Sequence, residues 1–424
     1  MNSIETVAVI GLGYIGLPTA AILATNGLKV TGVDINPKTV DAVNRGEVPF
    51  VEPDLSVHVT GAVGQGRLSA STETPVADAF IVAVPTPFKA DKSADLTFIE
   101  AAARSIAPNL RGGELVILES TSPPGATQYL ADYLGELRPD LGGPRQPLFA
   151  HCPERVLPGR VMIELVTNDR IVGGVTPEAA QKAKELYEVF CQGDIHLTDA
   201  VTAEMAKLVE NSYRDVNIAF ANELSMISDR LGIDVWELIS LANHHPRVHI
   251  LQPGPGVGGH CIAVDPWFIV DAVPESARII RMAREVNDSK PSWVVEKVIA
   301  TASAIEHPTI VVLGLTFKAN IDDLRESPAV QILTDLVRRL EGAEFLVVEP
   351  HIEQLPKSLA EYRNVRLEGL RAAIEAADVV VQLVDHDDFR AMTGRDLDGR
   401  LFINTRGPEP IDGDRSDVNT SRRA

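Results

Sequence analysis

Thr6-Val-Ala-Val-Ile10 runs straight into Gly11-Leu-Gly13-Tyr14-Ile15-Gly16. A helix-compatible run from Leu17 to Asn26 follows, closed by Gly27, and then Val30-Thr-Gly-Val33 ending at Asp34. Four consecutive apolar residues after Thr6, without alternation, read as a strand buried on both faces. The glycine triplet, the helix, the second strand and the terminal acid complete the setting in which this pattern binds a dinucleotide. Gly11 makes the tight turn, Gly13 admits a pyrophosphate, and Gly16 lets the helix pack on the strand. The helix N-terminus then faces the phosphates. Asp34 accepts both ribose hydroxyls and repels a 2′-phosphate, so NAD is expected rather than NADP.

Outward from this stretch the alternation continues. Ala79-Phe-Ile-Val-Ala-Val84 is a strand ending at Pro85-Thr86-Pro87, and Leu115-Val-Ile-Leu118 another, ending at Glu119-Ser-Thr121. Ligands of doubly wound sheets bind beyond the carboxyl ends of strands, which marks Thr86 and Thr121 as contacts for ribose or nicotinamide; ordinary turn chemistry would explain them equally. His151-Cys-Pro-Glu154-Arg155-Val156-Leu-Pro158-Gly is a proline-bracketed loop with an acid and a base, and 169–174 a further strand and turn.

From Ala200 to Leu231 there is neither proline nor glycine, so one long helix is expected. Glu204, Lys207, Asn211 and Arg214 share one of its stripes. Tyr213, Ile218, Phe220 and Leu224 make it a mainly buried helix, in which charges need partners. Two separate helices are expected at 276–287 and 293–304. A second α/β half then opens at 308–314, with later strands near 345–348, 379–384 and 401–404. Its first turn, Gly314-Leu-Thr-Phe317-Lys318, is not GxGxxG, so it is not expected to hold a dinucleotide. Lys318, Arg325 and Arg406 fall at strand ends or loops, suiting a second anionic ligand. The expected class is α/β: two Rossmann-like doubly wound domains joined by a central long-helix region. The boundaries read 1–199, 200–305 and 306–412, with a polar, disordered tail at 413–424.

One loop carries unusual chemistry: Gly254-Pro-Gly-Val-Gly258-Gly-His260-Cys261-Ile-Ala-Val-Asp265-Pro266. Glycines let other groups approach a thiol closely, and Pro266 biases Asp265 towards extended backbone. A thiol with a nearby carboxylate suits covalent catalysis where a positive group favours the thiolate. A buried cysteine in a plain connector is the alternative on composition alone.

The formal charge of −20 excludes nucleic acid and anionic membrane as expected partners. Three cysteines make no disulfide framework and fit a reducing compartment. No apolar run approaches bilayer-spanning length, so a cytoplasmic protein is expected. No metal site is expected: adjacent His-Cys pairs rarely share a tetrahedral ion, and Pro246 breaks the helical turn that His245 and His249 would need.

Taken together, Gly-Leu-Gly-Tyr-Ile-Gly-Leu-Pro (11–18), Cys-Pro-Glu-Arg (152–155), Glu-Asn-Ser-Tyr-Arg-Asp (210–215), the cysteine loop and Phe-Lys-Ala-Asn-Ile-Asp-Asp-Leu-Arg-Glu-Ser-Pro (317–328) resemble the UDP-glucose/GDP-mannose dehydrogenase family. The resemblance covers nearly the whole chain. It implies an NAD domain, a central dimerisation region, a UDP-binding domain, and oxidation of a sugar C6 alcohol to a carboxylate with two NAD⁺ and one water. Cys261 would be the nucleophile. Lys207 and Asn211 would face the oxyanion, Asp265 with Lys207 would activate water, and Glu154 is a second candidate base. It implies NAD contacts from Gly11, Gly13, Tyr14, Ile15, Gly16, Asp34, Thr86, Thr121 and Arg325. On the substrate side stand Arg155, Val156, Lys207, Asn211, Arg214, His245, Arg247, Gly258, Phe317 and Lys318. Arg406 stands where the family has a lysine. Cys261-Ile-Ala-Val-Asp265 lacks the proline and lysine usual after the cysteine in the UDP-glucose enzymes. It looks like the branch acting on UDP-N-acetylmannosamine, with UDP-N-acetylglucosamine next. A homodimer is implied, its site completed by the neighbouring subunit. A two-electron hydroxyacid dehydrogenase and a non-catalytic nucleotide-sugar sensor remain as rivals.

Overall fold

The computed structural model describes residues 4–407 apart from Ala90, Pro158, His260 and Ala391, so the tail at 413–424 and the histidine beside Cys261 lie outside the described residues. The chain divides into two compact units, Met1–Glu210 with Trp267–Ser276, and Asn211–Pro266 with Ala277–Ala424.

In the first unit, β1 (Thr6–Ile10), β2 (Lys29–Val33), β3 (Leu68–Ser71), β4 (Ala79–Val82), β5 (Leu115–Leu118), β6 (Leu148–His151), β7 (Arg170–Gly174) and β8 (Ile195–Asp199) form one sheet in the order β3-β2-β1-β4-β5-β6-β7-β8. All neighbours pair in parallel except β6 and β7, which are antiparallel. Val7 and Val9 enter the core on one face of the sheet, and Ala8 and Ile10 enter the core on the other. This double burial is why β1 carries no polar alternation. The order reverses between β1 and β4, placing a crevice beyond their carboxyl ends. Helices α1 (Gly16–Thr25), α2 (Ala126–Leu137) and α3 (Pro177–Tyr187) pack on the sheet, and α4 (Ala200–Leu231) leaves it.

The second unit repeats the scheme on a smaller scale. Strands β9 (Thr309–Leu313), β10 (Glu344–Val348), β11 (Val365–Leu367), β12 (Val379–Gln382) and β13 (Leu401–Asn404) form an all-parallel sheet in the order β11-β10-β9-β12-β13. Its helices include α5 (Val235–Asn243), α7 (Arg278–Ala302) and α8 (Pro328–Arg339), while α6 (Asp265–Ala272) starts in this unit and continues in the first.

Three sequence expectations are corrected. The two helices expected at 276–287 and 293–304 are the single α7, with Pro291 inside it. Proline costs one backbone hydrogen bond, but Ala283, Asn287, Pro291, Val294, Val298 and Ala302 form one continuous buried face that holds the helix together across the break. Asp265 is not extended; it is the first residue of α6, and Pro266 sits in the first turn, where a missing N–H costs nothing. Within α4, Tyr213 and Phe220 are 72% and 51% exposed rather than buried.

Candidate active site

At the end of β1 the chain turns through Gly11, whose φ of 96° and Gly11 N–H to Val33 C=O bond of 2.8 Å fix the turn. A Cβ at Gly16 would lie 1.9 Å from the Gly11 carbonyl oxygen, so α1 starts this close to the strand only because Gly16 has none. A Cβ at Gly13 would meet nothing within 4 Å, leaving the backbone above α1 open to a ligand. Asp34 follows β2; its carboxylate accepts from Leu12 N at 3.0 Å and Asn36 N at 2.9 Å. The first turn of α1 carries no acidic side chain to oppose a phosphate. Tyr14 stacks on Phe50 with ring centroids 4.3 Å apart, and Ile15 is half-buried beside it. The Thr86 hydroxyl is buried with no hydrogen-bond partner, as expected of a group whose partner is a ligand; Thr121 is half-buried. These features fit NAD. Gly11, Gly13 and Gly16 would admit its pyrophosphate, and Asp34 its adenosine ribose.

Behind this edge lies a polar cluster that sequence reasoning missed. Arg170, buried on β7, donates to Glu154 at 3.0 Å and stacks on Tyr187 and Phe190, 4.7 and 5.2 Å from their centroids. The other Glu154 oxygen accepts from Arg155 N at 2.7 Å. Both Glu154 oxygens therefore hold protein, which makes Glu154 an anchor for the 152–159 loop. Burial, and then the charge of Glu154, pushes the Glu119 carboxyl up to about 7, although Tyr187 donates to it at 3.1 Å. Burial likewise pushes the Cys152 thiol up to about 12 and His151 down to about 3. Cys152 is thus an inert thiol. Arg155 is paired with Glu210 at 2.9 Å, and Val156 is half-buried.

The α4 stripe separates into different tasks. Glu204 is buried and caps α2, accepting from Gly125 N at 2.6 Å and from Thr127 N and hydroxyl at 2.7 and 2.6 Å. Burial raises its pKa against these bonds. Lys207, one turn on, is half-buried, and Arg214 is exposed. Asn211 donates its side-chain amide to Asp265 at 2.5 Å, and Asp265 is 2% exposed.

The cysteine loop is held by a chain of buried polar groups. Gly254 N donates to Asn222 Oδ1 at 2.8 Å, and Asn222 Nδ2 donates to Asn287 Oδ1 at 2.9 Å. Asn287 donates to Asp215 Oδ1 at 2.8 Å, which also accepts from Arg284 at 2.6 Å. Burial raises the Asp215 pKa, opposed by Arg284 and Asn287. Gly258 and Gly259 lie under Phe317: a Cβ at Gly258 would fall 2.4 Å from the Glu326 carbonyl oxygen, and one at Gly259 3.0 Å from the Phe317 ring. Gly258 is therefore required by packing in the protein itself. Cys261 is exposed, and its carbonyl accepts from Asp265 N at 2.8 Å as the chain winds into α6.

The remaining predicted residues of the second unit are at its surface or its strand ends. Phe317 is half-buried and Lys318 exposed. Arg325 is paired with Asp323 through two nitrogens. Arg406 donates to the Leu383 carbonyl at 2.9 Å and lies against Gly254. His245 and Arg247 are exposed on the turn after α5, whose ends are joined by Asn243 bonding both N–H and C=O of Ile250, at 2.7 and 3.0 Å.

Comparison with known proteins gives the family. Residues 5–191 match the NAD binding domain of the UDP-glucose/GDP-mannose dehydrogenase family, residues 201–289 its central domain, and residues 311–412 its UDP binding domain. An NDP-N-acetyl-D-galactosaminuronic acid dehydrogenase from Ralstonia nicotianae is 59% identical over 409 residues, covering 95% of this chain and 96% of that protein. A UDP-N-acetyl-D-mannosamine dehydrogenase from Escherichia coli is 55% identical over 419 residues, covering 96% and 99%. The solved UDP-D-ManNAc dehydrogenase of Pyrococcus horikoshii superposes with a TM-score of 0.85 at 36% identity, covering 96% of this chain and 97% of that one. The chain thus belongs to the UDP-glucose/GDP-mannose dehydrogenase family of NAD-dependent UDP-sugar dehydrogenases.

Proposed function

We propose that this enzyme oxidises the C6 alcohol of UDP-N-acetyl-D-mannosamine to the carboxylate, a four-electron reaction that takes up one water and supplies an acidic sugar for surface polysaccharide. The observation that carries the reading is the pairing of an exposed thiol, Cys261, with a loop immobilised by buried groups and with an Asp265 carboxylate held by Asn211. NAD, when bound, supplies the hydride acceptor for both oxidations. Loss of the first hydride and a proton leaves an aldehyde. The Cys261 thiol adds to that carbon with a proton placed on the carbonyl oxygen, giving a thiohemiacetal, which becomes a thioester when the second hydride and the hydroxyl proton depart. Water then adds and the carbon–sulfur bond breaks, releasing the acid and the thiol. Lys207 offers positive charge to the oxygen that turns anionic in each addition. Asp265 takes the proton from water, with Asn211 setting its orientation. Arg155, Val156, Arg214, Phe317, Lys318 and Arg406 contact substrate, and Tyr14, Ile15, Thr86, Thr121 and Arg325 lie on the NAD side.

The working unit is a homodimer in the cytoplasm. Tyr213, Phe220, Ile227 and Leu231 form an exposed apolar stripe along α4 at spacings of seven, seven and four, the seam one helix presents to a second copy. His245 and Arg247 then reach the partner's substrate. No helix among the described residues is long and apolar enough to cross a membrane.

A second reading takes the galacto epimer as substrate, because a relative 59% identical is named for N-acetylgalactosaminuronic acid. Assaying the manno, galacto and gluco epimers of UDP-N-acetylhexosamine side by side decides. The proposal requires the highest kcat/KM on the manno epimer, and a galacto optimum replaces it with the second reading.

A further inference from the structure

The two units open with the same device. Gly11 N donates to Val33 C=O at 2.8 Å, and Gly314 N donates to Val348 C=O at 2.9 Å. Both glycines have positive φ, 96° and 87°. The residue after each glycine, Leu12 or Leu315, donates its N–H to the acid that follows the second strand, Asp34 at 3.0 Å or Glu349 at 2.7 Å. In the first unit that acid is half-buried beside the open backbone at Gly13, available to a ribose. In the second it is buried and turned inward. Glu349 accepts from Leu315 N, Thr316 N and His351 N, and its carboxylate lies 3.1 Å from His386 Nε2. Burial opposes its charge, but His386 and the backbone donors outweigh that and hold it below the usual carboxylate range.

His386 is fully buried, and each ring nitrogen has one task. Nδ1 accepts from Asn320 N at 2.9 Å, so the proton must sit on Nε2, which faces Glu349 and, at 3.2 Å, the Thr316 hydroxyl. The Thr316 hydroxyl donates a hydrogen bond to the Lys318 carbonyl at 2.9 Å, and Asn320 Oδ1 accepts from Asp387 N at 3.0 Å. Both ends of the segment carrying Phe317 and Lys318 are thus fastened to one imidazole.

We propose that His386, held by Glu349, is the positioning residue that fixes the Leu315–Asn320 segment for the nucleotide half of the substrate. The acid that would bind a dinucleotide ribose has become part of that fastening. The inference rests on the reading of this unit as the UDP site. Replacing the ring by phenylalanine leaves the part-buried Asn320 N–H without its acceptor and takes one of three donors from Glu349 Oε2, which loosens both ends of the segment.

Isothermal titration with UDP alone and with NAD alone, on the full-length protein, tests this. His386→Phe should raise the UDP Kd about tenfold or more and leave the NAD Kd within about twofold. His386→Asn, whose Oδ1 can still accept from Asn320, should recover part of the loss. In turnover, KM for the UDP-sugar should rise while kcat changes little. If the phenylalanine variant does not fold, Glu349→Gln carries the test, with the same weakening of UDP expected. Parental UDP affinity in the folded variants, or equal losses for UDP and NAD, overturns the inference alone. No UDP binding by the parental protein overturns the reading of the second unit, and this inference with it.

Discussion

Asn222→Ala probes whether the cysteine loop works because it is held still. Asn222 is buried, its Oδ1 accepts from Gly254 N at 2.8 Å, and its Nδ2 donates to Asn287 Oδ1 at 2.9 Å. The substitution leaves a buried N–H and a buried amide oxygen without partners, at about 1–3 kcal/mol each, so roughly 2–6 kcal/mol of destabilisation is expected. The loss is local to the anchor of residues 254–261, seven positions before Cys261, the proposed nucleophile. Displacement of a reacting atom by about 1 Å costs on the order of a hundredfold in rate, so kcat should fall between about tenfold and a hundredfold. The NAD Kd should stay near the parental value, because Gly11, Gly16 and Asp34 are built independently of this network. Asn222→Asp sharpens the test: it keeps the acceptor for Gly254 but sets a carboxylate against the Asn287 oxygen, so it should be no more stable than the alanine variant. Urea unfolding gives the stability change and steady-state kinetics the rate. Destabilisation with parental kcat would refute the link between loop anchoring and chemistry.

Other outcomes follow from the same geometry. Asp34→Ala removes the acceptor at the end of β2, so NAD affinity should drop about tenfold and discrimination against NADP should shrink; an unchanged preference in paired titrations would remove Asp34 from the cofactor site. Glu119 has its pKa raised from 4.5 to about 7, so the fold binds this proton more tightly than the unfolded chain. Its contribution is full below about pH 4.5 and is lost as pH rises through about 7, a swing on the order of 3 kcal/mol. Glu119→Gln should flatten stability over that window and gain at pH 8, as measured by unfolding at several pH values; a parental pH slope in the variant would contradict this. Arg247→Ala and Cys261→Ala homodimers should each be nearly inactive, and subunit exchange between them should restore activity if Arg247 serves the partner's site. Verified mixed dimers that stay inactive would return Arg247 to its own subunit.

What sequence alone reveals here is what short-range chemistry dictates. The β1 run, the glycine triplet and Asp34 lie within about thirty residues, and a strand, a turn and a helix each leave a local pattern there. The cysteine loop stood out because glycine and proline at that density fit neither helix nor central strand. Long-range pairings leave no such trace. Asn211 reads as a polar residue on a helical stripe until Asp265, 54 positions away, accepts its amide. Glu204 looks like a member of the same stripe, yet its carboxylate caps α2, 77 positions back. Glu349 and His386 sit on different strand ends and were invisible as a pair, although the acid after a second strand was a signal that could have been followed. Pro291 misled because proline propensity is local and the buried face of α7 that overrides it is tertiary. Tyr213 and Phe220 differ in the opposite direction: they are exposed in this chain, because an apolar residue on a helix does not say which element, if any in the same chain, packs on it.

The central claim is that one site carries both oxidations through a bond to Cys261, and the count of NADH formed per UDP-sugar consumed to completion tests it most directly. Two NADH and one carboxylate per sugar are expected of the parental enzyme. For Cys261→Ser no more than one NADH per sugar is expected, or two only with the sugar retained as a protein-bound ester visible in the intact mass, because a serine ester hydrolyses more slowly than a thioester. One NADH per sugar from the parental enzyme, or free acid made by Cys261→Ser at the parental rate, would contradict it.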